Sequence, residues 1–139
     1  MKTVKALLLL LFACLACARP ADEEPAPYTS ISGADLVLLL EAHDPPLLLD
    51  VRTAEEFEAS HIPTAINISH ELFPARMTEL DRYKDEQIVI YCRSGRRARL
   101  VQKRMADAGF AKLALLPGDM IEWTQKGYPL AGSQAPGGE

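Results

Sequence analysis

The stretch from Gln87 to Ala98 constrains this chain more than any other. Ile88, Val89, Ile90 and Tyr91 form a β-branched and aromatic run too short for an ordinary helix, and a glycine-containing turn follows at once. That pattern predicts a buried parallel strand with Cys92 at its carboxyl end. From Arg97 onward Leu100, Val101, Met105 and Ala108 recur with helical spacing, and Gly109 supplies the stop. Cys92 is therefore expected in a tight turn between a strand and a helix N-terminus.

The chemistry expected there follows from local electrostatics. Orphan N–H groups at a helix start, and a turn bent around a sulfur, favour thiolate over thiol. Arg93, Arg96 and Arg97 lie at or just before the first helical turn, where each cation opposes the helix dipole by about 0.3–1 kcal/mol. Three breaches of a local rule without a structural gain point to an anion-binding site. The competing reading is a buried cysteine beside a solvated basic helix.

Composition fits one soluble domain with a real core: 139 residues, 48% hydrophobic and 24% charged. The formal net charge of −4 argues against general nucleic-acid binding, so the basic loop is a local feature suited to small anions. Residues 1–18 read as a targeting segment: Lys2 and Lys5, then an apolar run from Ala6 to Leu15, well short of the ~20 residues of a membrane span. Ala16-Cys17-Ala18 suits cleavage before Arg19, whereas Leu11-Phe12-Ala13-Cys14 and Leu15-Ala16-Cys17 resemble a lipoprotein signal, so soluble export and lipid anchoring both stay open. With Cys14 and Cys17 in the leader, Cys92 is the lone thiol of the domain and no internal disulfide framework is expected. Residues 19–27 are an acidic, Pro-rich linker, 28–130 the domain, and 131–139 a flexible tail.

Within the domain, strands are expected at Tyr28–Ile31, Leu47–Val51, Ala65–Ile68, Gln87–Tyr91 and Lys112–Leu116. Helices are expected at Leu36–Ala42 after a Ser32/Asp35 capping box, at Ala54–Ala59 after a Thr53/Glu56 box, and around Met120–Gln125, with a broken helical region at Leu72–Leu80. This alternation predicts an α/β fold with a central parallel sheet of about five strands and helices on both faces. Ligands of such sheets bind at the carboxyl ends of the strands, where Asp50, Arg52 and Cys92 emerge. Arg52 either adds to the positive field of the crevice or holds Asp50 and nearby backbone. Asp50 is expected to be a structural acceptor.

Asp50-Val51-Arg52, Glu56-Phe57, Ser60 to Ile68 and Tyr91 to Ala98, taken in order, resemble the rhodanese (thiosulfate sulfurtransferase) family, especially its small exported members of the phage-shock type. The likeness covers about Tyr28 to Leu130. It implies that Cys92 accepts a sulfane sulfur as a persulfide, with Arg93, Ser94, Gly95, Arg96 and Arg97 forming the substrate-binding loop and Arg52 nearby. It further implies a small anionic donor such as thiosulfate and an acceptor that is cyanide, a thiol or a protein cysteine, in the bacterial periplasm, soluble or membrane-tethered by lipid. No metal or organic cofactor is expected, because three His and one domain Cys offer no convincing ligand cluster.

Two positions depart from the family pattern. Thr64 replaces a usual glycine, and Gly118-Asp119 replaces a glycine pair before the Trp123 helix; both are expected to affect turn geometry more than chemistry. His61 and Trp123 are expected to be structural. The rivals are a non-enzymatic persulfide carrier or binding module, and a cysteine phosphatase or arsenate reductase. Related phosphatases resemble cysteine, five residues, arginine; here Ala98 holds that arginine position and Arg97 comes one residue earlier.

Overall fold

The computed structural model describes residues 28–135, so the expected leader (1–18), linker (19–27) and last four residues lie outside the described region. Five parallel strands, β1 (Tyr28–Ser30), β2 (Leu47–Asp50), β3 (Ile66–Asn67), β4 (Gln87–Tyr91) and β5 (Lys112–Leu115), form one sheet in the order β1-β5-β4-β2-β3. The helices are α1 (Gly33–Glu41), α2 (Ala54–Ala59), α3 (Phe73–Arg76), α4 (Arg96–Asp107) and α5 (Asp119–Gln125), with a 3-10 segment at Met77–Tyr83. The α/β parallel architecture expected from the alternation is the one observed. The broken region resolves into α3, with a proline in its first turn, and the 3-10 segment.

The period-2 alternation of the central strands splits the core into two layers. Leu49, Val51, Ile88, Ile90 and Cys92 pack with Ala98, Val101, Met105, Phe73 and Leu80 on one face. Leu48, Val89, Tyr91, Ala114 and Leu116 pack with Leu36, Met120 and Trp123 on the other. Each fully buried leucine or isoleucine contributes about 1.5–3 kcal/mol. Trp123 is core, its indole N–H donating to Pro129 O at 2.8 Å. Among the described residues no helix is long and apolar enough to cross a membrane.

Both helix starts read from the sequence exist, with one difference. At α2 the box is reciprocal: Thr53 Oγ1 accepts from Glu56 N at 3.3 Å and Thr53 N donates to Glu56 Oε2 at 3.1 Å. At α1 only half forms, Asp35 N donating to Ser32 Oγ at 3.1 Å while that hydroxyl donates to Asp35 Oδ2. Aspartate is one methylene shorter than the glutamate that a full box uses.

The start of the expected tail is not loose. Ala131 pairs antiparallel with His61, and the amides of Ser133 and Gln134 donate to Glu58 O and Ala59 O at 2.9 and 2.8 Å. These bonds satisfy carbonyls left unpaired at the end of α2, which is the physical reason that a Gly/Ser-rich segment is held there.

Candidate active site

The site lies at the carboxyl edge of the sheet, where β2 and β4 run side by side and their onward connections diverge, β2 towards β3 and β4 towards β5. Cys92 leaves β4, and Gly95, at φ +88°, caps α4. The left-handed residue folds the loop back so that Gly95 N donates to Cys92 Sγ at 3.1 Å. Cys92 is 1% exposed. Its side chain belongs to the buried cluster that includes Val51, Ile90 and Ala98, while the Gly95 amide donates to the sulfur and Arg97 acts on it. The sulfur is thus deeply set, yet it is not enclosed by aliphatics alone.

The arginines play different parts. Arg93 and Arg96, with Ser94, are exposed. Arg97 interacts with Cys92 and is clamped by Glu56, Nη1 to Oε2 at 2.7 Å and Nη2 to Oε1 at 3.0 Å. The Arg97 hydrogen bonds, partly offset by burial, hold the Glu56 carboxyl down at about 2. The bond to Glu56 likewise raises Arg97 above its ordinary value.

Arg52 takes the structural alternative that the sequence left open. It is 5% exposed, with Nε and Nη2 on the Asp50 carboxylate and Nη2 on Ser60 O at 2.6 Å. Asp50, fully buried, also accepts from Arg52 N at 2.9 Å. The guanidinium is spent on this pair, although its edge borders a cleft of about 380 Å³ with Glu56, Ser60, Arg93 and Ile121. A larger cavity of about 680 Å³ lies at the opposite sheet edge, by Pro45, Leu47 and Gln87, and holds none of these groups.

His61 is structural, its Nδ1–H donating to Phe57 O at 2.7 Å and its ring stacked on Phe57. Both positions where the resemblance expects glycine are left-handed, Thr64 at φ +70° and Asp119 at φ +50°. Asp119 is expected to act on turn geometry more than on chemistry, and its side chain also reaches the backbone of the cysteine loop. Its Oδ1 accepts from Cys92 N at 2.6 Å, and the next two amides of α5, Met120 N and Ile121 N, donate to Cys92 O and Arg93 O. Burial pushes the Asp119 carboxyl up, against the pull of the Cys92 amide and side chain, Arg99 and the Gly95 amide.

Three residues of the neighbourhood were thus missed. Glu56 was legible as a cap and a motif position but not as the partner of Arg97, and Asp119 only as a broken glycine pair. Tyr91, whose hydroxyl accepts from Ile62 N at 3.2 Å, reads in sequence as plain strand. Among the described residues no cluster of three or more His, Cys, Asp or Glu is placed to hold a metal ion.

The profile of the Rhodanese-like domain matches residues 32–126, most of the chain. The chain belongs to the rhodanese-like domain family. This rhodanese-like domain is similar to a sulfurtransferase of Allochromatium vinosum, 37% identical over 84 residues covering 60% of this chain and 77% of that one. It is also similar to a thiosulfate:glutathione sulfurtransferase of Saccharomyces cerevisiae, 31% identical over 111 residues, covering 70% of this chain and 79% of that protein. A rhodanese-related protein of Thermoplasma volcanium superposes with a TM-score of 0.66 at 25% identity, covering 76% of this chain and all of that one. Family and relatives together support sulfur transfer in general.

Proposed function

We propose that this rhodanese-like domain is a thiosulfate sulfurtransferase working through a Cys92 persulfide. The observation that carries the reading is the Gly95 N–H on Cys92 Sγ at 3.1 Å with Arg97 beside the same sulfur. An amide and a guanidinium there stabilise negative charge, whether on a thiolate or on a dianionic donor. The thiolate attacks the outer sulfur of thiosulfate, a new S–S bond forms, and the donor's S–S bond breaks with its electron pair leaving on sulfite. Cyanide, a thiol or a protein cysteine then attacks the outer sulfur of the persulfide, and the Cys92 thiolate is released.

Incubation with thiosulfate followed by intact-mass measurement tests the reading. One sulfur atom is gained, cyanide removes it, and Cys92→Ser gains none; an unchanged wild-type mass refutes the proposal. The phosphatase alternative fares worse, because Ala98, at the position of the phosphatase arginine, is fully buried in the core. The charged and apolar start of residues 1–18, with the motif order of small exported members, supports export, and the mass of the mature protein reads the cleavage site and any attached lipid.

A further inference from the structure

Helix α2 carries Glu56, the residue that clamps Arg97, yet its own side chains anchor it weakly. It is six residues long and none of them is buried, whereas most helices in folded domains draw their stability from an apolar face packed on the core. Its last four carbonyls are instead all held from outside the helix. Phe57 O accepts from His61 Nδ1–H at 2.7 Å and Ser60 O from Arg52 Nη2 at 2.6 Å. Glu58 O and Ala59 O accept from the amides of Ser133 and Gln134, and Ser133 Oγ adds a second bond to Glu58 O at 3.1 Å. Two of the four are thus secured by residues 131–134, a segment itself paired to His61 through Ala131 in both directions, at 2.8 and 2.9 Å.

We propose that residues 131–134 form a positioning strap that sets α2 and, through Glu56, the guanidinium of Arg97. The strap fits the helix end closely. Gly132 lies at φ +113°, a conformation that side chains rarely adopt, and a Cβ there would stand 2.8 Å from Ala59 O and 2.9 Å from both Glu58 O and Ser60 Cα. These neighbours are backbone atoms, so a side chain is admitted only by moving the strap off the helix.

Glu56 lies about one helical turn from these carbonyls, so a tilt of the helix end reaches its carboxylate. Both of its oxygens meet Arg97, at 2.7 and 3.0 Å, and a two-pronged contact tolerates little displacement. The consequence for sulfur transfer rests on the function proposed above. With the strap displaced, Arg97 keeps its charge but loses its aim, so donor binding weakens while turnover of bound donor at Cys92 changes little.

Steady-state kinetics of Gly132→Ala with thiosulfate and cyanide test the strap. The half-saturating thiosulfate concentration should rise about threefold with the maximal rate within about twofold, a fraction of one charge-assisted contact. Gly109→Ala is the control. It also carries a positive φ, +87°, but its Cβ would meet nothing within 4 Å and it sits just past the far end of α4, so it should lower stability and leave that concentration unchanged. In a Glu56→Ala background, where the clamp is already gone, Gly132→Ala should add almost nothing. An unchanged concentration in Gly132→Ala, an equal rise in Gly109→Ala, or full additivity with Glu56→Ala overturns the proposal. Should Gly132→Ala fail to fold, hydrogen exchange of the wild type decides. The amides of Phe57 and Ser60 should exchange in step with those of Ala131, Ser133 and Gln134, and strap amides that exchange far faster than those of α2 overturn it. Wild-type protein that takes up no sulfur refutes the transfer reading instead, and the hold on α2 is then read from exchange alone: faster at Phe57 and Ser60 in Gly132→Ala supports it, and an unchanged rate overturns it.

Discussion

Glu56 and Arg97 join α2 to the sulfur loop through a two-pronged ion pair at 2.7 and 3.0 Å. The same Glu56 Oε2 accepts from Thr53 N, so one carboxylate both caps a helix and aims a guanidinium at Cys92.

Removing the guanidinium should weaken donor binding more than folding. Arg97→Ala is expected to raise the thiosulfate concentration at half-maximal rate by about tenfold, the loss of one charge-assisted contact of about 1.5 kcal/mol. Steady-state kinetics with cyanide as acceptor measures it, and identical curves for both proteins would contradict the role.

The ion pair also sets an acid limit. Arg97 holds the folded Glu56 below its ordinary value of 4.5, to about 2. A depressed carboxyl stabilises the fold above its unfolded value, and that contribution drains away as pH falls from about 4.5 through about 2. Glu56→Gln keeps the capping box but not the charge. Its stability should therefore fall less steeply over that window than the wild type's in urea titrations at stepped pH. Parallel slopes would show that Glu56 is not the group responsible.

Beneath the crevice, Asp50 gathers the Arg52 guanidinium and amide in full burial. Asp50→Ala leaves that guanidinium buried and unpaired, a loss of about 3–5 kcal/mol in denaturant unfolding. A loss below about 1 kcal/mol, the range of a surface pair, would be inconsistent with this geometry.

Gly95 tolerates no side chain. At φ +88° an alanine costs about 1–2 kcal/mol, and its Cβ would stand 2.9 Å from Asp119 Oδ2 and 2.8 Å from Arg99 Nη1. Gly95→Ala should lower both melting temperature and sulfur uptake. Adding Asp119→Gly should recover part of the stability, and strict additivity of the two changes would argue against the clash.

Thr64 offers the converse case. A β-branched residue at φ +70° on an exposed turn is strained, so Thr64→Gly should raise stability by about 1 kcal/mol with sulfur transfer unchanged. Thermal unfolding and mass uptake together check it.

Local signals in the chain were enough to place the elements and the turn that carries Cys92. The run Ile88–Tyr91 with Gly95 behind it placed Cys92 between strand and helix, and Thr53 with Glu56 placed the start of α2, because propensity, alternation and capping act over a few neighbouring residues. Which charges meet was decided only by tertiary packing. Arg97 finds Glu56 from 41 positions away and Cys92 N finds Asp119 from 27, while Arg52 turns to Asp50 only two positions away. Those pairings depend on parallel strands bringing distant carboxyl ends to one edge, where burial makes an unpaired charge too costly to leave and each group takes whichever partner the fold sets within reach.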